Sequence, residues 1–114
     1  MQQVIKLTKK LISVRSVGDD RKSLEKVLNI CGDELLGFPF IEYEKNGIKS
    51  RIYFNTNKLP KRFRIILNAH IDVVDGKDDQ FIPVIKGDKL FGRGSKDMKA
   101  AASALILLFK NYAK

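Results

Sequence analysis

Residues 64–74 read RIILNAHIDVV. The run from Phe63 to Ala69 is short, rich in isoleucine and bounded by loop-forming residues, the pattern of a β-strand buried on both faces of a sheet. Its C-terminal end carries His70, the only histidine of the chain, with Asp72 two positions on. Ligand sites in α/β sheets gather just beyond the C-terminal ends of strands. In extended backbone, positions i and i+2 point to the same side with Cα atoms ~6.5 Å apart, so Asp72 is within reach of the His70 imidazole. A carboxylate that accepts the ring N–H fixes the tautomer and makes the other nitrogen a better metal ligand. A strand end whose histidine and aspartate are merely solvated is the alternative reading of the same pair.

A second cluster lies at residues 90–100, LFGRGSKDMKA. Gly92 and Gly94 bracket Arg93, which suits unusual backbone dihedrals or close contacts. Ser95 is placed to cap the helix that follows. Asp97 then falls in the first turn, where the helix dipole favours an anion. An ionised aspartate held there is a hard-oxygen ligand whose two oxygens can bridge two cations; an ordinary first-turn acid is the alternative. The Gly-Arg-Gly lacks the spacing of a P-loop or of a dinucleotide fingerprint, which disfavours phosphate binding.

Around these clusters the chain divides by hydrophobic period. Val4, Leu7, Leu11, Ile12 and Val14 follow helical spacing over residues 2–14. Ser16-Val17-Gly18-Asp19-Asp20 breaks that helix and offers Asp19 or Asp20 as the N-cap of a second. The second helix carries Leu24, Val27, Leu28, Cys31 and Leu35 on one stripe and stops at Gly37. Residues 38–55 form a β-hairpin around Asn46-Gly47, and residues 80–94 form two short strands around Gly87-Asp88. The last helix has Met98, Ala101, Ala102, Leu105, Phe109 and Tyr112 at three- and four-residue intervals. Helix, helix, hairpin, buried strand, hairpin, helix makes an α/β fold, with a mixed β-sheet flanked by helices. The last helix runs almost to the end without a Gly or Pro stop, and an α/β sheet ending on such a helix expects another strand after it.

Composition limits the partners. A chain of 114 residues, 44% hydrophobic and 31% charged, is one globular domain at most. No apolar run approaches the ~20 residues needed to span a bilayer, and the N-terminus has no uninterrupted apolar segment of a secretory signal. Cys31 is the only cysteine, so no internal disulfide forms, which fits a reducing cytoplasm, and its place on an apolar helix face marks it as a packing residue. The net charge of +9 comes from lysines scattered among acids, without the aromatic residues of a stacking platform. That is a solvated surface, so neither nucleic acid nor membrane is an expected partner.

Taken together, HIDVV and DDQFIPVIKGDKLFGRGSKDMKA resemble the opening part of the co-catalytic zinc amidohydrolases and peptidases. That family includes aminoacylase-1, acetylornithine deacetylase, succinyl-diaminopimelate desuccinylase and carboxypeptidase G2. The resemblance runs over residues 2–113, and its specific part is residues 65–100. It implies that His70 is a zinc ligand, that Asp97 bridges two zincs, and that Asp72 orients His70 as a catalytic acid. Departures are Ala69 and Ala100 where the family usually has glycine, and Asp75 where it often has proline; all three chemical residues are in place. Cobalt or manganese are possible in place of zinc.

The resemblance also implies what is missing. A catalytic zinc takes three protein ligands, and the family draws a Glu-Glu pair, a further acid and a second histidine from beyond the bridging aspartate. The expectation is therefore that residues 1–114 are the N-terminal portion of a catalytic domain, without its C-terminal half and without the family's dimerisation domain; intact relatives are often homodimers. The implied reaction of the intact protein is hydrolysis of an amide in a small N-acyl amino acid or short peptide, with residues 1–114 alone inactive. A non-catalytic remnant, or a module that binds a partner through an exposed sheet edge, is the alternative.

Overall fold

The computed structural model describes residues 1–113. Helix α1 (Gln2–Ile12) and helix α2 (Arg21–Glu34) come first, followed by strands β1 (Phe40–Lys45) and β2 (Ile48–Tyr53). A 3₁₀ turn (Asp78–Phe81), strands β3 (Val84–Lys86) and β4 (Lys89–Phe91) and helix α3 (Ala100–Tyr112) complete the order. The class is mixed α/β, as the hydrophobic periods predict.

Local chemistry accounts for the boundaries. Asp20 caps α2: its carboxylate accepts from the Ser23 amide at 3.1 Å and from the Ser23 hydroxyl at 2.9 Å. Asn46 and Gly47 both take positive φ, 55° and 80°, the pairing that a two-residue hairpin turn demands. Phe40 then faces Tyr53 and Lys45 faces Ile48.

The core lies between the helices. Leu7, Leu11 and Val14 from the α1 side meet Val27 and Cys31 of α2 and Leu107 of α3. Burial pushes the Cys31 thiol up to about 11, so it stays protonated and unreactive near neutral pH. In α3 the buried stripe is Ala102, Ser103 and Leu107, about one residue away from the predicted one. Two small residues let α3 approach α1 closely, while Leu108 and Tyr112 face solvent.

Two expectations fail. Residues 64–69 are exposed and belong to no strand: Ile65 is 78% and Ile66 73% exposed. A strand buried on both faces needs a strand to pair with and a layer packed on each face. Here β1 pairs with β2 and β3 with β4 in two separate antiparallel sheets, and among the described residues neither sheet extends to it. A single parallel bridge, Val17 to Val73, is the one ladder contact at this segment's end among the described residues. Asp97 is also not in the first turn of α3. The helix begins at Ala100, after a wide turn over Ser95–Lys99 in which Asp97 (φ −131°, ψ 96°) and Met98 (φ −139°, ψ 34°) are non-helical. The Lys99 amide donates to the Gly94 carbonyl at 2.8 Å, closing the turn and pushing Asp97 outward. Ser95 accordingly does not cap α3, whose N-terminus has no side-chain cap. Among the described residues no helix is long and apolar enough to cross a membrane.

Candidate metal centre

Both predicted clusters meet at His70. Its Nδ1 lies 3.1 Å from the Asp72 carbonyl oxygen and 3.2 Å from Asp72 Oδ1. Its Nε2 lies 3.1 Å from Asp97 Oδ1. The pairing of Asp72 with His70 follows the spacing argument, with the backbone carbonyl as an added acceptor. Asp97 reaches the other nitrogen from the turn before α3.

Every partner of this imidazole is an acceptor. With a proton on Nδ1, shared with Asp72, the Nε2 lone pair would point at the Asp97 carboxylate. Only a second proton or a cation at Nε2 makes that contact favourable. Partial burial pulls the His70 pKa down, but the Asp72 carbonyl, the Asp97 carboxylate and both negative charges outweigh it, so the net shift is upward. The same demand is met by a metal ion. Two ligands of one tetrahedral zinc stand about 3.3 Å apart, and the Nε2 to Oδ1 separation is already close to that. The two carboxylates sit on opposite sides of the ring, so they do not converge on one point. Among the described residues no three His, Cys, Asp or Glu side chains form a ready cage. The donor set fits a cation held by His70 and Asp97, with Asp72 behind the ring.

The site is open. The Asp72 and Asp97 side chains are 59% and 84% exposed, at a cleft of about 700 Å³ also lined by Arg93, Ser95 and Lys96. The glycines of the second cluster are there for space. A Cβ on Gly92 would stand 2.6 Å from Ile12 Cγ2. One on Gly94 would stand 2.5 Å from Val73 Cγ1, and Gly94 also has φ +85°. The Gly-Arg-Gly is thus a close-packed corner between α1 and the His70 segment.

Several supporting residues are not evident from the sequence. Arg15 places Nε and Nη2 on Asp75 Oδ1 at 2.9 and 2.7 Å, Nη1 on Asp78 at 2.6 Å, and its guanidinium 4.9 Å from the Phe81 ring centre. The Gln80 side chain accepts from Arg93 Nη2 at 2.8 Å. Lys99 is wholly buried, and burial pulls its ammonium down to about 8. One signal marked Lys99: it lies one turn before Ala102 and Ser103, on the stripe that packs against α1. Nothing in the local sequence pairs Arg15 with Asp75.

His70 is thus met by a carboxylate from a glycine-cornered turn, and both segments lie within the part of the chain that matches a known family. Residues 66–114 match the model of Peptidase family M20/M25/M40. The chain is similar to succinyl-diaminopimelate desuccinylase of Sulfurovum sp. (strain NBC37-1), 33% identical over 94% of this chain and 29% of the relative. The enzyme of the same name from Buchnera aphidicola subsp. Cinara cedri (strain Cc) is 34% identical over 97% of this chain and 30% of its own length. N-formyl-4-amino-5-aminomethyl-2-methylpyrimidine deformylase of Bacillus subtilis (strain 168) is 27% identical over 96% of this chain and 28% of the relative. The chain spans a little under a third of the length of these curated relatives.

Proposed function

We propose that this chain supplies one wall of a metal-dependent amide hydrolase site, with His70 and Asp97 as metal ligands and Asp72 as the acid that orients His70. The observation that carries the reading is the Nε2 to Oδ1 approach of 3.1 Å between two acceptors brought together from different segments. Zinc, when bound, supplies Lewis-acid activation of water and of the scissile carbonyl. The chain's own residues hold it: Asp72 keeps the proton on Nδ1 and so leaves Nε2 free, while Asp97 adds a negatively charged oxygen and has a second oxygen available for another ion. The substrate class is a small N-acylated amine or amino acid, supported by relatives named as a desuccinylase and a deformylase. The resemblance implies a second histidine, which these 114 residues lack, together with a general base and further ligands that the additional length of the relatives would supply. Residues 1–114 alone therefore bind metal weakly and turn over nothing. The single buried, unpaired cysteine suits a reducing cytoplasmic setting.

Titration of the purified chain with cobalt(II), read by visible absorbance, and with zinc against a chromophoric chelator, tests the assignment. His70→Ala and Asp97→Asn weaken binding at least tenfold, and Asp72→Asn weakens it roughly 10- to 100-fold, the usual effect of losing a partner that orients a ligand. Unchanged affinity in His70→Ala would overturn the reading, and so would chelator-sensitive hydrolysis of N-acyl amino acids by residues 1–114 that survives that substitution.

One observation favours a second reading, a partner-binding module. The accessible surface is 8371 Å², against about 6,300 Å² for a compact monomer of this mass. The excess is more than the roughly 800 Å² that one partner gives to a standard protein–protein interface, and it includes Ile65 and Ile66 on a backbone that pairs with no strand. A chain that binds no metal yet captures a complementing polypeptide would favour this reading.

A further inference from the structure

His70 and Asp97 lie 27 positions apart, on segments with little regular structure. Each segment is nevertheless tied to the same short stretch, the end of α1 and the link that follows. On the histidine side, Ser16 is fully buried. Its hydroxyl donates to the Ile71 carbonyl at 2.8 Å, and its own carbonyl accepts from the Val73 amide at 2.9 Å. These two bonds bracket Asp72 and fix the backbone next to His70.

On the aspartate side, Lys99 is fully buried. Its ammonium donates to the Leu11 carbonyl at 2.6 Å and to the Val14 carbonyl at 3.0 Å. The last carbonyls of a helix have no partner within it, so a cation there satisfies both the hydrogen bonds and the dipole. The Lys99 amide meanwhile closes the turn that carries Asp97 by its bond to the Gly94 carbonyl. The stem of Lys99 packs beside Gly94, where an added Cβ would stand 3.1 Å from Lys99 Cδ.

The two ties converge on one atom. The Val14 carbonyl accepts both the Lys99 ammonium at 3.0 Å and the Ser16 amide at 2.9 Å. We infer that Lys99 and Ser16 are positioning residues, which set the separation of His70 Nε2 from Asp97 Oδ1 by anchoring both segments to the end of α1. Neither touches the imidazole or the Asp97 carboxylate, so each acts only through the residue it places. The inference rests on the proposed roles of His70 and Asp97, and it extends them to side chains well inside the molecule.

The test compares Lys99→Met and Ser16→Ala with Leu107→Ala, a truncation in the same core as Leu11 and Val14 that removes none of the hydrogen bonds of either tie. Two readouts are needed. The first is metal-free: the nuclear Overhauser contact between the His70 ring and the Asp97 β protons. It is lost in Lys99→Met and retained in Leu107→Ala, with the contacts among α1, α2 and α3 intact in both. The second is the zinc dissociation constant. It rises at least tenfold in Lys99→Met and Ser16→Ala and stays within twofold in Leu107→Ala. Lys99→Met combined with Asp97→Asn is no weaker than Asp97→Asn alone, since a positioning residue has nothing left to position. If Lys99→Met does not fold, Ser16→Ala carries the test, and Ser16→Thr restores the tie and the affinity. Full additivity of the double variant, or a loss in Leu107→Ala equal to that in Lys99→Met, would sink the inference. Absence of His70-dependent zinc binding in the unmodified chain would defeat the metal roles instead, and the metal-free contact would still decide whether Lys99 and Ser16 hold the geometry.

Discussion

Gly94 is the residue on which the two halves of the site press most closely. Its φ of +85° is costly for any side chain, and a methyl group there would stand 2.5 Å from Val73 Cγ1. Gly94→Ala is expected to destabilise by about 1–3 kcal/mol, measured by urea unfolding. Gly18→Ala is the control: a Cβ there meets nothing within 4 Å, and it changes stability by less than about 0.5 kcal/mol. At this scale the sequence was legible where chemistry is local. A Gly-x-Gly beside a helix points to close approach, and His-x-Asp points to an oriented imidazole; both are present in the structure as geometry. Lys99 was not legible. Lysine is ordinarily a surface residue, and only its position on the stripe of Ala102 and Ser103 contradicts that. Arg15 was less so, because its carboxylate partner Asp75 lies 60 positions away.

Among the elements, α2 shows how directly a cap can be read. Asp20 stands before the first apolar stripe residue and accepts two hydrogen bonds from Ser23. The Ser23 amide, then the Ser23 hydroxyl, hold its carboxyl below its ordinary 3.8. A lowered pKa in the folded state means that the cap's contribution is complete above the unfolded value and is lost as pH falls through the folded one. Asp20→Ala should therefore lower the urea midpoint at neutral pH, and the gap between the two proteins should close in acid once the native carboxyl is protonated. A gap of constant size at every pH would mean that the hydrogen bonds to the carboxylate do not matter. The hairpin β1–β2 was equally readable, since Asn46-Gly47 allows only a tight turn. The start of α3 was not. Its residues have helical propensity from Ser95 onward, but the burial of Lys99 and the Gly94 to Lys99 bond delay the helix to Ala100. Tertiary packing overrode the local preference.

For the molecule as a whole, the apolar run that defines the class is also the part least satisfied by it. Residues 64–69 were read as a doubly buried strand from composition alone, and composition cannot say whether the neighbours are supplied. With Ile65 and Ile66 largely exposed and an unpaired backbone, this segment is a template for strand addition. Sedimentation velocity over a range of concentrations should reveal self-association, and Ile65→Lys with Ile66→Lys should suppress it with little change in thermal midpoint. A large fall in that midpoint would instead show that the two isoleucines are packed. The family resemblance was carried by short motifs, which is why it could be read from under a third of a relative's length.

The tie from Lys99 to the end of α1 also governs the order in which the site is built. Its two hydrogen bonds join residues 88 and 85 positions apart. Closing a loop of that length costs about 4 kcal/mol of chain entropy, whereas α1, α2 and the β1–β2 hairpin form from neighbours in sequence. During synthesis His70 leaves the ribosome well before Lys99, and until Lys99 arrives nothing holds Asp97 against the imidazole. The centre is thus expected to form late in folding, after the scaffold that hides its anchor has condensed.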